Sequence, residues 1–271
     1  MRIYAFVVYL FLYLPIALII FFSFNSGRYA MSFEGFSTKW YGKALNNPFV
    51  MDALTASFTV ALTSAILASV FGTMAALALQ RISGWKKHFY DGLIYVAIMV
   101  PGIVIGISTL VALVTMFDFI NPYLSFLAPL FGGEAPKLQL GFTSLIAAHT
   151  LFTMSLVIVI LRARINGMDR SLIDASEDLY ATPLTTFRLI TLPQLMPGIV
   201  AAFLLSFTFS FDDFVIAFFV AGPNTTLPVY VFSSIRRGVT PEVNAIGTMV
   251  LVTSLVLLFS AQYLMNRKTK K

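Results

Sequence analysis

Two adjacent carboxylates, Asp212 and Asp213, interrupt the apolar run Gly198–Ala221. A carboxylate at a bilayer centre costs about 2.5–3.5 kcal/mol on insertion scales, so two in succession need a reason. Counting from Gly198 at about 1.5 Å per residue puts them roughly 20 Å along a helix, in the outer half of a membrane. Neighbouring helical residues point about 100° apart, so both can border one wide cavity but not one tight point. One chemistry open to such a pair is an anionic patch that draws a cationic solute inward. The other is structural: one Asp bonds a neighbouring helix and its neighbour reaches outer water. Ser206, Thr208 and Ser210 precede the pair, and hydroxyls of this kind commonly join helices.

His149 lies in another apolar run, where an interhelical hydrogen bond and a proton or substrate role are both open. Trp40 and Tyr41 follow the first run and suit an aromatic belt at the outer interface, with Tyr41 also a candidate to line the substrate path. Arg236 and Arg237 precede Thr240-Pro241, a helix-start signal; they can be solvated, paired with Glu242, or in contact with a protein outside. No residues are placed for catalysis. Cysteine is absent, which excludes disulfides, thiolate chemistry and Cys-ligated metal. His88 and His149 fall on different segments and form no metal cluster. No G-x-x-x-x-G-K-[ST] loop is present, so the chain supplies no Walker-type ATP site.

The elements that must carry these residues are set by composition. Of 271 residues, 58% are hydrophobic and 11% charged, and mean hydropathy is +0.86. A soluble domain carries about a quarter charged residues, so much of this surface must face lipid. Six apolar runs can each cross the hydrocarbon: Ile3–Phe24, Leu54–Leu79, Leu93–Phe117, Phe142–Leu161, Gly198–Ala221 and Ala245–Met265. They are read as helices, because alternating barrel strands are absent and lipid tolerates no open sheet. The first run is too long for a signal-peptide core and lacks a small-x-small cleavage site. Pro101, Gly102 and Gly106 concentrate in the third span, where a kink beside a pathway and close helix packing are both open.

Charge orients the spans. Arg2, Arg81, Lys86, Lys87, Arg162, Arg164, Arg170, Arg188, Arg267, Lys268, Lys270 and Lys271 fall on one side, twelve of the 18 basic residues. Arg28, Lys39, Lys43, Lys137, Arg236 and Arg237 fall on the other. The positive-inside rule puts the first set and both termini in the cytoplasm, and the loops Arg28–Met51, Asp118–Gly141 and Pro223–Val243 outside. The net charge of +6 is thus largely a topology signal, and no basic face with stacking aromatics points to nucleic acid.

The longest cytoplasmic connection, within about residues 165–195, is patterned as two short helices. Ser171 and Asp174 suggest a capping box, and Leu172, Ala175 and Leu179 recur at helical spacing. Thr182-Pro183 starts a second helix with Leu184, Phe187 and Ile190 on one face, which Pro193 and Pro197 are expected to end. Such a pair can rest on lipid or dock a soluble partner.

The stretch DASEDLYATPLTTFRLITLPQLMPGI (Asp174–Ile199) resembles the EAA motif of ABC importer permeases. Asp174, Ala175 and Ser176 take its first positions, and Ile190, Leu192 and Pro193 its last. Tyr180 stands where the family usually has Gly, so either the turn is made differently or Tyr180 adds contact area; a Tyr at positive φ is costly. STKWYGKAL (Ser37–Leu45), SFTFSFDDFVIAFFVAGP (Ser206–Pro223) and TTLPVYVFSSIRRGVTPEVNAIGT (Thr225–Thr248) are similar to the second permease subunits of spermidine/putrescine importers.

The resemblance implies an all-α type I ABC importer permease, one transmembrane domain over residues 1–271 with a permease core of about 51–265. It implies an inner-membrane location and a heterodimer with a sister permease. It also implies two ATPase subunits that bind ATP and Mg, and an external substrate-binding protein. Asp174, Ala175, Ser176, Tyr180, Pro183, Leu184 and Phe187 would form the ATPase-coupling loop. Asp212, Asp213 and Tyr41 would border the path of a polyamine or related organic cation. Another small solute on the same machinery, such as an amino-acid derivative, opine or aminophosphonate, stays open. A self-sufficient secondary transporter is disfavoured by the lack of a duplicated half and by the docking loop. A membrane enzyme would need a polar cluster at one depth, which the sequence does not contain.

Overall fold

The computed structural model describes residues 2–29, 32–126 and 137–268, with side-chain surroundings up to residue 256. Residues 127–136 of the expected outer loop, and Lys270 and Lys271 of the basic tail, lie outside the described residues, as do the side chains of Arg2, Arg267 and Lys268. The elements are α1 (Arg2–Ser23), α2 (Lys39–Leu45), α3 (Pro48–Leu79), α4 (Gly84–Met99), α5 (Gly102–Phe126) and α6 (Phe142–Asn166). They continue with α7 (Ser171–Asp178), α8 (Pro183–Thr186), α9 (Leu192–Asp212), α10 (Val215–Val220), α11 (Leu227–Arg236) and α12 (Pro241–Lys268). Among the described residues five helices are long and apolar enough to cross a membrane, and Pro241–Val256 is a shorter apolar helix.

Two compact units divide the chain. The first comprises Met1–Asp52 and Tyr230–Lys271. Here α1 packs along α12, and the rest of α1 is apolar and exposed, as expected of a helix whose solvent is lipid. The segment after α1 is knitted around the side chain of Asn25, which donates to Tyr29 O and Ser32 O and accepts from the Gly27 and Glu34 amides. Trp40 is buried there, its Nε1 donating to Asn25 O at 2.9 Å, so it is a core residue of this loop. Glu242 pairs with Lys43 at 3.5 Å and accepts from Asn47 at 2.9 Å, which replaces the expected pairing with Arg236 or Arg237.

The second unit, Ala53–Val229, is built on α6. This helix packs against α9, α4 and α10, with Val157, Leu161, Leu195 and Ala202 in one core cluster and Leu145, Ile216 and Val220 in another. Small residues set the approach: a Cβ on Gly72 would sit 2.6 Å from Val157 Cγ1. Two spans expected to be continuous are broken. The third breaks at Val100, whose extended backbone (φ −66°, ψ 132°) is what a following proline imposes. Pro101 therefore separates α4 from α5, so the membrane-length helix is Gly102–Phe126 rather than Leu93–Phe117. Gly106 serves packing: a Cβ there would meet Phe219 Cδ2 at 2.7 Å and Val215 O at 3.2 Å, so α10 rests directly on the α5 backbone. The helix break falls at Pro101 and the close packing at Gly106.

Candidate functional site: an apolar helix pair and a broken carboxylate span

The connection between α6 and α9 folds as two short helices. α7 starts at Ser171, whose amide donates to Asp169 Oδ1 at 2.9 Å. Ser171 is thus the first helical residue and Asp169 the side chain that satisfies the open end; the Ser171–Asp174 capping box does not form. The hydrogen bonds from Ser171 to Asp169 hold its carboxyl below the usual carboxylate range. α8 begins as its sequence signals: Thr182 Oγ1 accepts from the Thr185 amide and Pro183 takes the first helical position.

The turn between the helices is made in the usual way, although glycine is missing. The Ala181 amide donates to Ser176 O at 3.0 Å and the Tyr180 amide to Glu177 O at 2.9 Å, the paired bonds of a Schellman stop. That stop demands a left-handed residue, and Tyr180 adopts φ 55°. For a residue with a Cβ this costs about 1–2 kcal/mol. The strained residue projects its ring outward, 95% exposed.

Polarity across this helix pair is inverted. Ser176 and Thr186 are buried and bonded to each other at 2.9 Å. Leu172, Ala175, Leu179 and Leu184 face outward with Tyr180, and Leu179 is 82% and Leu184 75% exposed. Asp174 and Pro183 are exposed and Phe187 is half-buried. Hydroxyls inside and leucines outside leave an apolar patch on the face of this helix pair.

Pro193 and Pro197 do not end the helix that follows. A wide π turn over Phe187–Thr191 leads from α8 into α9, so helix runs from Pro183 to Asp212. A π turn re-registers the backbone ladder just where Pro193 removes a donor. At about 1.5 Å per residue this is a rod roughly 45 Å long, with the short helix pair at one end and the carboxylates at the other.

At the far end the rod stops. Asp213 is extended (φ −70°, ψ 120°) and α10 starts two residues later. Its Oδ2 accepts from the Ala217 amide at 3.0 Å and so stands in for a backbone acceptor at the start of α10. The same oxygen lies 3.6 Å from His149 Nε2, while His149 Nδ1 shares a 2.7 Å hydrogen bond with Ser210 Oγ. His149 is 1% exposed and joins α6 to α9, the interhelical role open to it from sequence. Asp212, the last residue of α9, is exposed. The break therefore separates the two carboxylates: Asp213 is tied into the protein and Asp212 is left accessible.

Residues 68–271 match the family described as binding-protein-dependent transport system inner membrane component. The chain belongs to this family. It is 39% identical to the spermidine/putrescine transport system permease protein PotC of Escherichia coli (strain K12) over 264 residues, covering 97% of this chain and 92% of PotC. It is 38% identical over 263 residues to the putrescine transport system permease protein PotI of the same organism, covering 96% of this chain and 89% of PotI. Among solved structures it is similar to a bacterial ABC transporter involved in the import of the acidic polysaccharide alginate, with a TM-score of 0.75 at 13% identity. That match covers 98% of this chain and 94% of that one and bears on the fold alone. The permease thus has the all-helical fold of type I ABC importer permeases.

Tyr41 lies in the first unit. Its hydroxyl shares a 2.6 Å hydrogen bond with Ser23 Oγ, and its ring lies 5.3 Å from that of Phe24. It anchors the end of α1 in this structure. The sequence reading missed His149 as the partner of Asp213. The available signal was a lone intramembrane His beside a span with two carboxylates, but no sequence rule relates residues 64 positions apart.

Proposed function

We propose that this permease is one of two unlike transmembrane subunits of an ABC importer for a polyamine or related small organic cation. The observation that carries the coupling part is the inverted helix pair, which exposes Leu179, Tyr180 and Leu184 while burying Ser176 and Thr186. That surface suits a groove on a separate ATPase subunit, two copies of which would bind ATP and Mg; this chain contributes no nucleotide chemistry. The continuous helix from the tip to Asp212 offers a mechanical route from ATPase closure to the substrate path. An external binding protein would deliver the solute. The whole chain would act as a single transmembrane domain, with both termini in the cytoplasm.

The cationic substrate rests on two supports. The first is the kinship to permeases named for spermidine and putrescine. The second is the accessible carboxylate of Asp212 at the end of a membrane-length helix; in a partly desolvated path its attraction to a cation would exceed the value in bulk water.

The docking reading is tested by copurifying the ATPase subunits of the same transport system with the tagged permease. Ala175→Arg forces a charge into the packed face and is expected to abolish copurification while the protein still inserts and accumulates, because the site lies outside the bilayer. Full assembly and transport by that variant would refute docking at this position.

A further inference from the structure

Tyr180 pays a backbone penalty that glycine would avoid, and nothing within the described chain offsets it: the ring is 95% exposed. The turn beneath it is braced by the Ser176–Thr186 hydrogen bond, the paired Schellman bonds and the Thr182 cap. A rigid aromatic on a braced turn loses little freedom on binding, which is the property of an interface anchor. Leu179 and Leu184 flank it, and the exposed carboxylates of Asp174, Glu177 and Asp178 border this apolar tip. From Asp169 to Thr191 the segment carries Asp169, Asp174, Glu177 and Asp178 against Arg170 and Arg188.

We propose that Tyr180 is a specificity anchor that fills an apolar pocket on the ATPase subunit, a pocket bordered by basic residues that complement Asp174, Glu177 and Asp178. This rests on the docking reading and adds the chemistry of the partner surface and the residue that selects it. An ATPase subunit shaped for a glycine turn has no room for the ring and mates poorly with this permease. A membrane surface is the other apolar partner within reach of such a tip. The acidic border disfavours it, since the cytoplasmic leaflet is itself anionic and attracts basic segments.

The test measures association of the purified ATPase subunit with the permease pair of its own importer, after the ATPase has been removed from the complex. Variants are Tyr180→Phe, Tyr180→Ala, Tyr180→Gly and, as a docking control, Ala175→Arg. Tyr180→Ala and Tyr180→Gly are expected to weaken association roughly 30-fold, and Tyr180→Phe, which keeps the ring, to restore most of it. Gly relieves the backbone yet does not rescue, which separates the ring from the strain. Raising salt is expected to weaken wild type and Tyr180→Ala by the same factor, because the acidic border remains. Association of Tyr180→Gly equal to or tighter than wild type would overturn the anchor while leaving docking intact, provided Ala175→Arg still abolishes it. If Ala175→Arg also associates normally, the docking reading itself fails. A second readout uses the absence of native cysteine: maleimide labelling of Tyr180→Cys is expected to slow about tenfold when ATPase subunit is added at a concentration that saturates even this ring-less variant. Protection by phosphatidylserine vesicles instead of the ATPase would assign the tip to lipid and overturn the proposal.

Discussion

Neutralising Asp213 and neutralising Asp212 are expected to have different consequences, although the residues are adjacent. Asp213 Oδ2 accepts from the Ala217 amide at 3.0 Å beside the buried His149. A hydrogen bond to a charged group contributes about 1.5–3 kcal/mol, so Asp213→Ala should destabilise the break by about 2 kcal/mol, a roughly 30-fold shift toward its open form. Asp213→Asn keeps an acceptor oxygen and should lose about half of that. Asp212 is exposed, and Asp212→Asn should change stability by less than about 0.5 kcal/mol. Its effect falls on the solute: a cation 4 Å away gains about 1 kcal/mol in bulk water and about 4 kcal/mol at an effective dielectric of 20. Uptake should therefore fall at least about 5-fold. The assay is membrane abundance and thermal midpoint of the purified complex, beside uptake of labelled spermidine normalised to abundance. Wild-type abundance and melting for Asp213→Ala, together with wild-type uptake for Asp212→Asn, would refute this division of labour.

Reporter fusions at Lys43, Lys137 and Arg237 should all give an external signal; a cytoplasmic signal at two of them would reverse the topology. Gly106→Val drives a side chain into Phe219 and the Val215 carbonyl, and should lower permease abundance by a destabilisation of about 1–3 kcal/mol; normal abundance would mean that α5 and α10 do not lie in contact. The carboxyl of Asp169 is held below its unfolded value, so its contribution to the α7 end is present above that value and is lost as pH falls through the folded one. The protection factor of the Ser171 amide, its exchange rate relative to an unstructured amide at the same pH, should fall on such acidification in wild type and be low throughout in Asp169→Ala; a pH-independent protection factor in wild type would contradict the cap.

The helical membrane class was legible because hydropathy is summed over some twenty residues per span and survives errors at any one. Thr182-Pro183 was legible because a cap and a proline act on their immediate neighbours; the left-handed turn at Tyr180 was one of two readings, because a Tyr carries no intrinsic signal for positive φ and only the motif alignment marked the position. The breaks were harder. The break before Pro101 is only one of two readings that Pro101, Gly102 and Gly106 allow, since a proline's effect in a membrane helix depends on what packs beside it. The break at Asp213 is not signalled by residue type alone: the carboxylate accepts from the Ala217 amide four residues on, and His149 reaches it from α6, 64 positions away in the sequence. Pro193 misled for the opposite reason, because a π turn absorbed its missing donor and let the helix continue.

The most direct test of the account is ATP hydrolysis by the reconstituted importer, assembled from this permease, its sister permease, the ATPase subunits and the binding protein. Spermidine or putrescine presented on the binding protein should stimulate hydrolysis, Ala175→Arg should abolish the stimulation, and Asp212→Asn should weaken it. Stimulation by neutral or anionic solutes with none by polyamines would contradict the cationic path, and hydrolysis indifferent to Ala175→Arg would contradict coupling through the helix pair.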